Sequence, residues 1–307
     1  MKKLRLKNAH YEQYQKGFGS WLQTIGMSKG AQYYLPLHVR ELLFFMTQRN
    51  IHVIQNIDVK DIKDYFAHLD TRPNQRRDGG LSAAHYNKHI QAVKKFSDYL
   101  WHHYKIFLPI EIKRKVSNHK YPVVLSEEEI AALYDATTYN RTLQLRDQVM
   151  LDLLYGCGLR RSEATQLWVE HISSENRMLY IRKGKNYSTR YVPFTQKMGE
   201  RIKEYITWCR QDFLGGVALK TLLISSRGKA MQGQSMRLRL KQLCNHAEMR
   251  SLREKDPGLH TLRHSIATPL LHKGLPLVQI AQFLGHKSIE STQIYTHLSH
   301  QIWAQKK

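Results

Sequence analysis

The chain has 307 residues, enough for two domains at the usual roughly 100 to 200 residues each. Lys and Arg outnumber Asp and Glu by 48 to 25, a formal net charge of +23, so the expected partner is a polyanion. Membrane is excluded as that partner, because the densest apolar run, Leu42-Leu43-Phe44-Phe45-Met46, falls far short of the roughly 20 residues that span a bilayer. Lys7, His10, Glu12 and Gln13 interrupt any leader-like apolar stretch, which points to a protein that stays in the cytosol. Cys157, Cys209 and Cys244 fit neither a disulfide framework nor a CxxC metal ribbon and read as reduced, mostly buried thiols.

In chain order, Pro36 opens a helical segment whose Leu42, Leu43, Phe45 and Met46 form a buried stripe. Asp58 is placed to cap a short helix carrying Ile62, Phe66 and Leu69. A polar loop over 71–80 follows, and Ser82 starts a helix with Tyr86, Ile90, Val93, Phe96 and Leu100 at helical spacing. Residues 1–108 thus form a small helical domain. Residues 109–122, with Lys113, Arg114, Lys115 and Lys120, read as a basic linker, either lying along phosphates or simply solvated.

A second domain, 123–307, opens with the capping box Ser126 and Glu129 ahead of Ile130, Leu133 and Tyr134. Short strand-like runs from Met178 to Arg182 and from Arg190 to Phe194 flank a turn at Gly184-Lys185-Asn186. The remainder is helical, so the fold class is mainly α with a small antiparallel sheet in the C-terminal domain.

Chemistry concentrates in a few separated segments. In Tyr155-Gly156-Cys157-Gly158-Leu159-Arg160-Arg161-Ser162-Glu163 a helix ends at glycines and the next begins with Arg160 at its mouth, where Glu163 can orient an arginine. Lys183 stands at the end of the first strand run. His260-Thr261-Leu262-Arg263-His264 puts His260, Arg263 and His264 near one helical face, where three cationic or potentially cationic groups repel unless an anion lies between them. A zinc-protease reading fails because Thr261, not glutamate, follows the first histidine. Farther on, Gly285 caps a helix just before His286, and Tyr295 lies in Ile294-Tyr295-Thr296-His297.

These segments resemble the boxes of the tyrosine recombinase family, which includes phage integrases and the Xer proteins. Gly158-Leu159-Arg160-Arg161-Ser162-Glu163 is similar to its first arginine box, Lys183-Gly184-Lys185 to its hairpin lysine, and His260-Thr261-Leu262-Arg263-His264-Ser265 to its second arginine box. Leu284-Gly285-His286 and Ile294-Tyr295-Thr296-His297 are similar to the last two, and order and spacing agree over about residues 125 to 300. The resemblance implies a helical core-binding domain (1–108) joined to a catalytic domain, and a site-specific recombinase that works through a 3′-phosphotyrosyl intermediate for integration, excision, inversion or dimer resolution.

It assigns Tyr295 as nucleophile, Arg160 and Arg263 as phosphate clamps, Lys183 as proton donor to the leaving oxygen, and His260 and His286 as hydrogen-bonding or proton-transfer groups. Glu163 holds the arginines. Such chemistry needs no metal, cofactor or ATP, in keeping with a sequence that has no GxxxxGK[ST] loop. The implied partners are a double-stranded recombination site and three further copies of the chain. Arg237 and Lys241, on one face of a helix over 235–241, are candidates for reading a DNA groove, the alternative being a solvated amphipathic helix. The tail with Leu298, Ile302 and Trp303 docks either on a neighbour or on its own domain. Pro269 is a departure from the family pattern and is expected to kink its helix after Arg263. A type IB topoisomerase and a non-catalytic DNA-binding protein of the same fold stand as alternatives.

Overall fold

Ser28, Asp58 and Ser82 each start a helix by accepting a backbone N–H from three residues on, at 3.2, 2.8 and 3.3 Å. In the computed structural model, which describes residues 4–73, 80–116, 122–137, 140–182 and 189–285, these caps open α2 (Lys29–Gln48), α3 (Val59–Thr71) and α4 (Ala83–Tyr104). With α1 (Ala9–Thr24) they form the first of two compact units, Met1–His119. Phe18, Leu22, Leu42, Leu43, Met46, Ile62, Phe66, Ile90, Val93 and Phe96 are its buried centre. Each such side chain contributes about 1.5–3 kcal/mol by leaving water.

Pro36 does not open a helix. It lies inside α2, which begins at Lys29. A mid-helix proline forfeits a backbone bond, and packing offsets the loss. Pro36 is buried, its carbonyl accepts from Gln15 Nε2 at 3.3 Å, and its ring faces Gly19 of α1.

Past α4 the chain continues to pack on this unit. Ile106 and Leu108 are buried, Ile110 and Ile112 lie against the core, and the Lys115 backbone N–H donates to Asn87 Oδ1 at 2.9 Å. The Lys115 ammonium pairs with Asp70 and lies 4.3 Å from the Tyr86 ring centre. Lys113 and Arg114 are exposed.

Between α2 and α4 three histidines gather: His38, His85 and His89. Burial, and then the charges of His85, Lys88 and Arg72, push His38 down to about 4. Burial, and then His38, His85 and Arg72, push His89 down to about 2. Both rings are neutral across the physiological range.

The second unit is Lys120–Lys307. Its opening helix α5 (Glu127–Asp135) carries the expected reciprocal capping box, Ser126 with Glu129. Helix α6 (Arg141–Leu151) runs into a wider π-helical turn, Asp152–Gly156, and α7 (Arg161–Thr165) follows. A small antiparallel sheet comes next, in the order β1 (Ile172–Ser173), β2 (Met178–Ile181), β3 (Arg190–Pro193). The pairing Leu179↔Val192 buries both side chains, whereas the expected strand-like runs did not reveal the two-residue β1.

Helices α8 (Gln196–Glu204), α9 (Arg210–Leu214), α10 (Gly233–His246), α11 (Arg250–Lys255), α12 (Leu259–His272) and α13 (Leu277–Leu284) complete the described part. α12 continues through Pro269 to His272, held where Ala267 packs with Ile280 and Leu284 of α13. Cys157, Cys209 and Cys244 are free and buried. Among the described residues no helix is long and apolar enough to cross a membrane.

Candidate active site

The turn that ends at Gly158 positions the first arginine. Gly158 takes φ +56°, and a Cβ there would stand 2.7 Å from Leu284 Cδ2, so only glycine lets α13 approach this closely. Two residues later Arg160 takes the N-cap position of α7, and its backbone N–H donates to Glu163 Oε2 at 2.8 Å. Its side-chain Nη1 donates to Glu163 Oε1 at 2.9 Å, and its Nη2 to the Gly285 carbonyl at 2.5 Å. The relation expected from spacing alone, an arginine at a helix mouth oriented by the glutamate one turn on, is therefore present.

Glu163 serves more than Arg160. Arg190, the first residue of β3, forks onto both its carboxylate oxygens at 2.9 Å each and donates from Nε to the Phe283 carbonyl at 3.2 Å. Arg263 of α12 approaches Oε2 at 3.8 Å and donates to the carbonyls of Gly158 and Leu284. Three guanidiniums thus surround one carboxylate, all four side chains largely buried, with a net of two positive charges.

Burial alone would raise the Glu163 carboxyl. Hydrogen bonds and charge from Arg190, with the bonds from Arg160, overcome it and hold Glu163 at about 2. Gly285 closes the cluster with φ +66°, its missing Cβ leaving room for the Arg190 guanidinium, which would stand 2.8 Å away.

Arg190 had no assigned role in the sequence, although a signal was present. On a strand it shares a face with Val192, which is fully buried, while Tyr191 between them is 65% exposed. A charge in phase with a buried valine needs a buried partner. His260 and His264 follow on α12 beside Arg263. Partial burial, then Arg263, Arg161 and Arg160, lower the pKa of His260. Burial, then His260 and Arg263, bring His264 to about 4. Crowding with cations is thus relieved by keeping both imidazoles neutral.

Lys183, His286 and Tyr295 lie outside the described residues, as do the turn at Gly184-Lys185-Asn186 and the tail with Leu298, Ile302 and Trp303. On α10, Met236, Leu240 and Leu243 are buried and Arg239 Nε donates to Asp147 of α6 at 2.6 Å, so Arg237 and Lys241 face solvent. The three-histidine group of the first unit also went unread in the sequence, where His85 and His89 stand four apart but His38 is far away in the chain.

Residues 123–301 match the phage integrase family. The chain belongs to that family. It is similar to a tyrosine recombinase XerD of Pseudomonas aeruginosa, 36% identical over a stretch covering 58% of each chain, and to a XerD of Ralstonia nicotianae, 30% identical over 91% of this chain and 87% of the relative. Its fold is also similar to that of the XerH site-specific recombinase bound to palindromic difH substrate in a post-cleavage complex. That likeness has a TM-score of 0.73 at 19% identity and covers 100% of this chain and 92% of the other. As a member of the family the chain is a tyrosine site-specific recombinase.

Proposed function

We propose that this recombinase cuts and rejoins double-stranded DNA at a specific site, with Tyr295 as nucleophile and the cluster of Arg160, Arg190 and Arg263 around Glu163 as the phosphate-facing framework. The observation that carries this reading is the convergence of three guanidiniums on the one buried carboxylate of Glu163. Attack on a phosphodiester spreads negative charge over its non-bridging oxygens, and fixed cations aimed there lower the barrier. Arginine suits the task because its planar fork stays charged and grips two oxygens at once.

The Tyr295 oxygen bonds to phosphorus as its proton passes to His260, whose lowered pKa leaves it neutral and able to accept. The bond from phosphorus to the 5′ oxygen breaks, and Lys183 protonates that oxygen. His286, which follows Gly285 in sequence, adds a hydrogen bond to the phosphate. Rejoining is the reverse, with the 5′ hydroxyl of another strand attacking the phosphotyrosine, so no ATP or metal is consumed.

The helical unit 1–108 acts as a core-binding domain, residues 109–122 track phosphates through the exposed Lys113 and Arg114 while Lys115 is held by Asp70, and Arg237 and Lys241 offer an outward basic face to a groove. Four copies assemble on two sites, in the cytoplasm on the nucleoid. The test is to incubate the protein, in chelator and without ATP, with a supercoiled plasmid carrying two copies of the DNA that flanks its own coding sequence. Recombinant circles are expected. Relaxation of supercoils without exchange would overturn the recombinase reading in favour of a topoisomerase, and tight binding with no product would overturn the catalytic one.

A further inference from the structure

In the first unit, one nitrogen from each of His38, His85 and His89 lies within 4.8 Å of the other two. His38 and His89 are 2% and 0% exposed, with ring centres 4.1 Å apart. His38 Nδ1, His89 Nε2 and Glu41 Oε2 are all buried without a hydrogen bond, and the last two are 4.0 Å apart. Buried polar atoms left so cost about 1–3 kcal/mol each. Leaving three of them along the packed faces of α2 and α4 calls for a ligand.

The chemistry of the group selects a cation. An anion would suit protonated imidazoles, but the carboxylate oxygen Glu41 Oε2 lies 4.0 Å from His89 Nε2. Neutral imidazole nitrogens together with a carboxylate are the donor set of zinc, which takes four such ligands in a tetrahedron at about 2.0–2.2 Å. The nitrogens, within 4.8 Å of one another, would draw in to the roughly 3.3 Å which that geometry implies. The second shell is also in place, since Tyr65 Oη lies 2.9 Å from His89 Nδ1 and can accept its proton, leaving Nε2 for the metal. Arg72 Nη2 holds the other Glu41 oxygen at 2.8 Å.

We propose that His38, His85 and His89 form a zinc site that staples α2 to α4, with Glu41, whose Oε2 lies 4.0 Å from His89 Nε2, moving in as the fourth ligand. It stands apart from the strand-transfer chemistry of the second unit and does not depend on it. Zinc bound to the folded form alone stabilises that form by mass action.

The full-length protein, stripped with chelator, should take up one equivalent of zinc chloride in a calorimetric titration, with a rise in melting temperature. Cobalt in its place should give the visible absorption of a tetrahedral complex. His85→Gln, at the half-buried edge, should leave the metal-free melting temperature unchanged and weaken zinc at least roughly tenfold. Tyr65→Phe, which keeps the ring packing, should weaken it by about 10- to 100-fold through loss of the His89 hydrogen bond. No zinc uptake would overturn the proposal, because a water molecule would then suffice to satisfy these atoms. Uptake unchanged in both variants would place the metal elsewhere and overturn it equally, and so would stabilisation by inorganic phosphate with none by zinc.

Discussion

Glu163→Gln should lower DNA strand cleavage by about 10²- to 10³-fold. The glutamine matches the carboxylate in shape but supplies no charge to Arg160, Arg190 and Arg263, all of which lie within 4 Å of Glu163. Its amide also turns a donor toward guanidiniums that can only donate. The cluster should spread, and the folded state should lose about 3–5 kcal/mol, the usual cost of removing one member of a buried ion pair. The pH dependence gives an independent check. The Glu163 carboxyl is held at about 2, below its ordinary value of 4.5. Its contribution to stability is therefore complete above pH 4.5 and lost as the pH falls toward 2. In urea denaturation the gap between wild type and variant should be widest at neutral pH and should narrow through that window. The narrowing belongs to Glu163, because the histidines with lowered pKa values, such as His264, are common to both proteins. A gap that stayed constant or widened on acidification would contradict the account.

Arg263→Lys should abolish most cleavage while leaving DNA binding within a few-fold of wild type. The Arg263 guanidinium reaches two carbonyls at once, Gly158 and Leu284, which belong to separate parts of the unit. A lysine ammonium is a point donor and can satisfy one of them. The other is left buried without a donor, at a cost of about 1–3 kcal/mol. The planar fork for phosphate is lost as well, so cleavage should fall by about 10²- to 10³-fold. Affinity draws on many phosphate contacts and barely registers one. Cleavage rate and gel-shift affinity, measured side by side, separate these effects. Wild-type cleavage by the lysine variant would show that the planar fork of Arg263 is not needed for cleavage.

Local signals in the sequence carried much of this architecture. Ser126 with Glu129, Asp58 and Ser82 mark helix starts because a cap needs only its own neighbours. Arg160 and Glu163 were legible for the same reason, being three residues apart. What escaped depends on distant contacts. Pro36 sits within a helix because Gln15 and Gly19 of α1 receive it, and Arg190 reaches Glu163 from 27 residues away. The histidine group forms only once α2 and α4 pack, and no spacing rule joins His38 to His85. At Pro269 the local rule concerns only the bend of the helix, whereas the continuation of α12 to His272 is accompanied by the packing of Ala267 with Ile280 and Leu284 of α13.

The central claim is that Tyr295 becomes covalently joined to a DNA 3′ phosphate. It is tested most directly with a nicked suicide substrate that carries the native flanking sequence, which loses its short 5′ hydroxyl fragment on cleavage and cannot be resealed. The expected result is a denaturation-resistant protein–DNA adduct, formed in the presence of chelator, whose mass maps to the peptide containing Tyr295 and which disappears in Tyr295→Phe. An adduct on another residue, or one that persists in Tyr295→Phe, would contradict it.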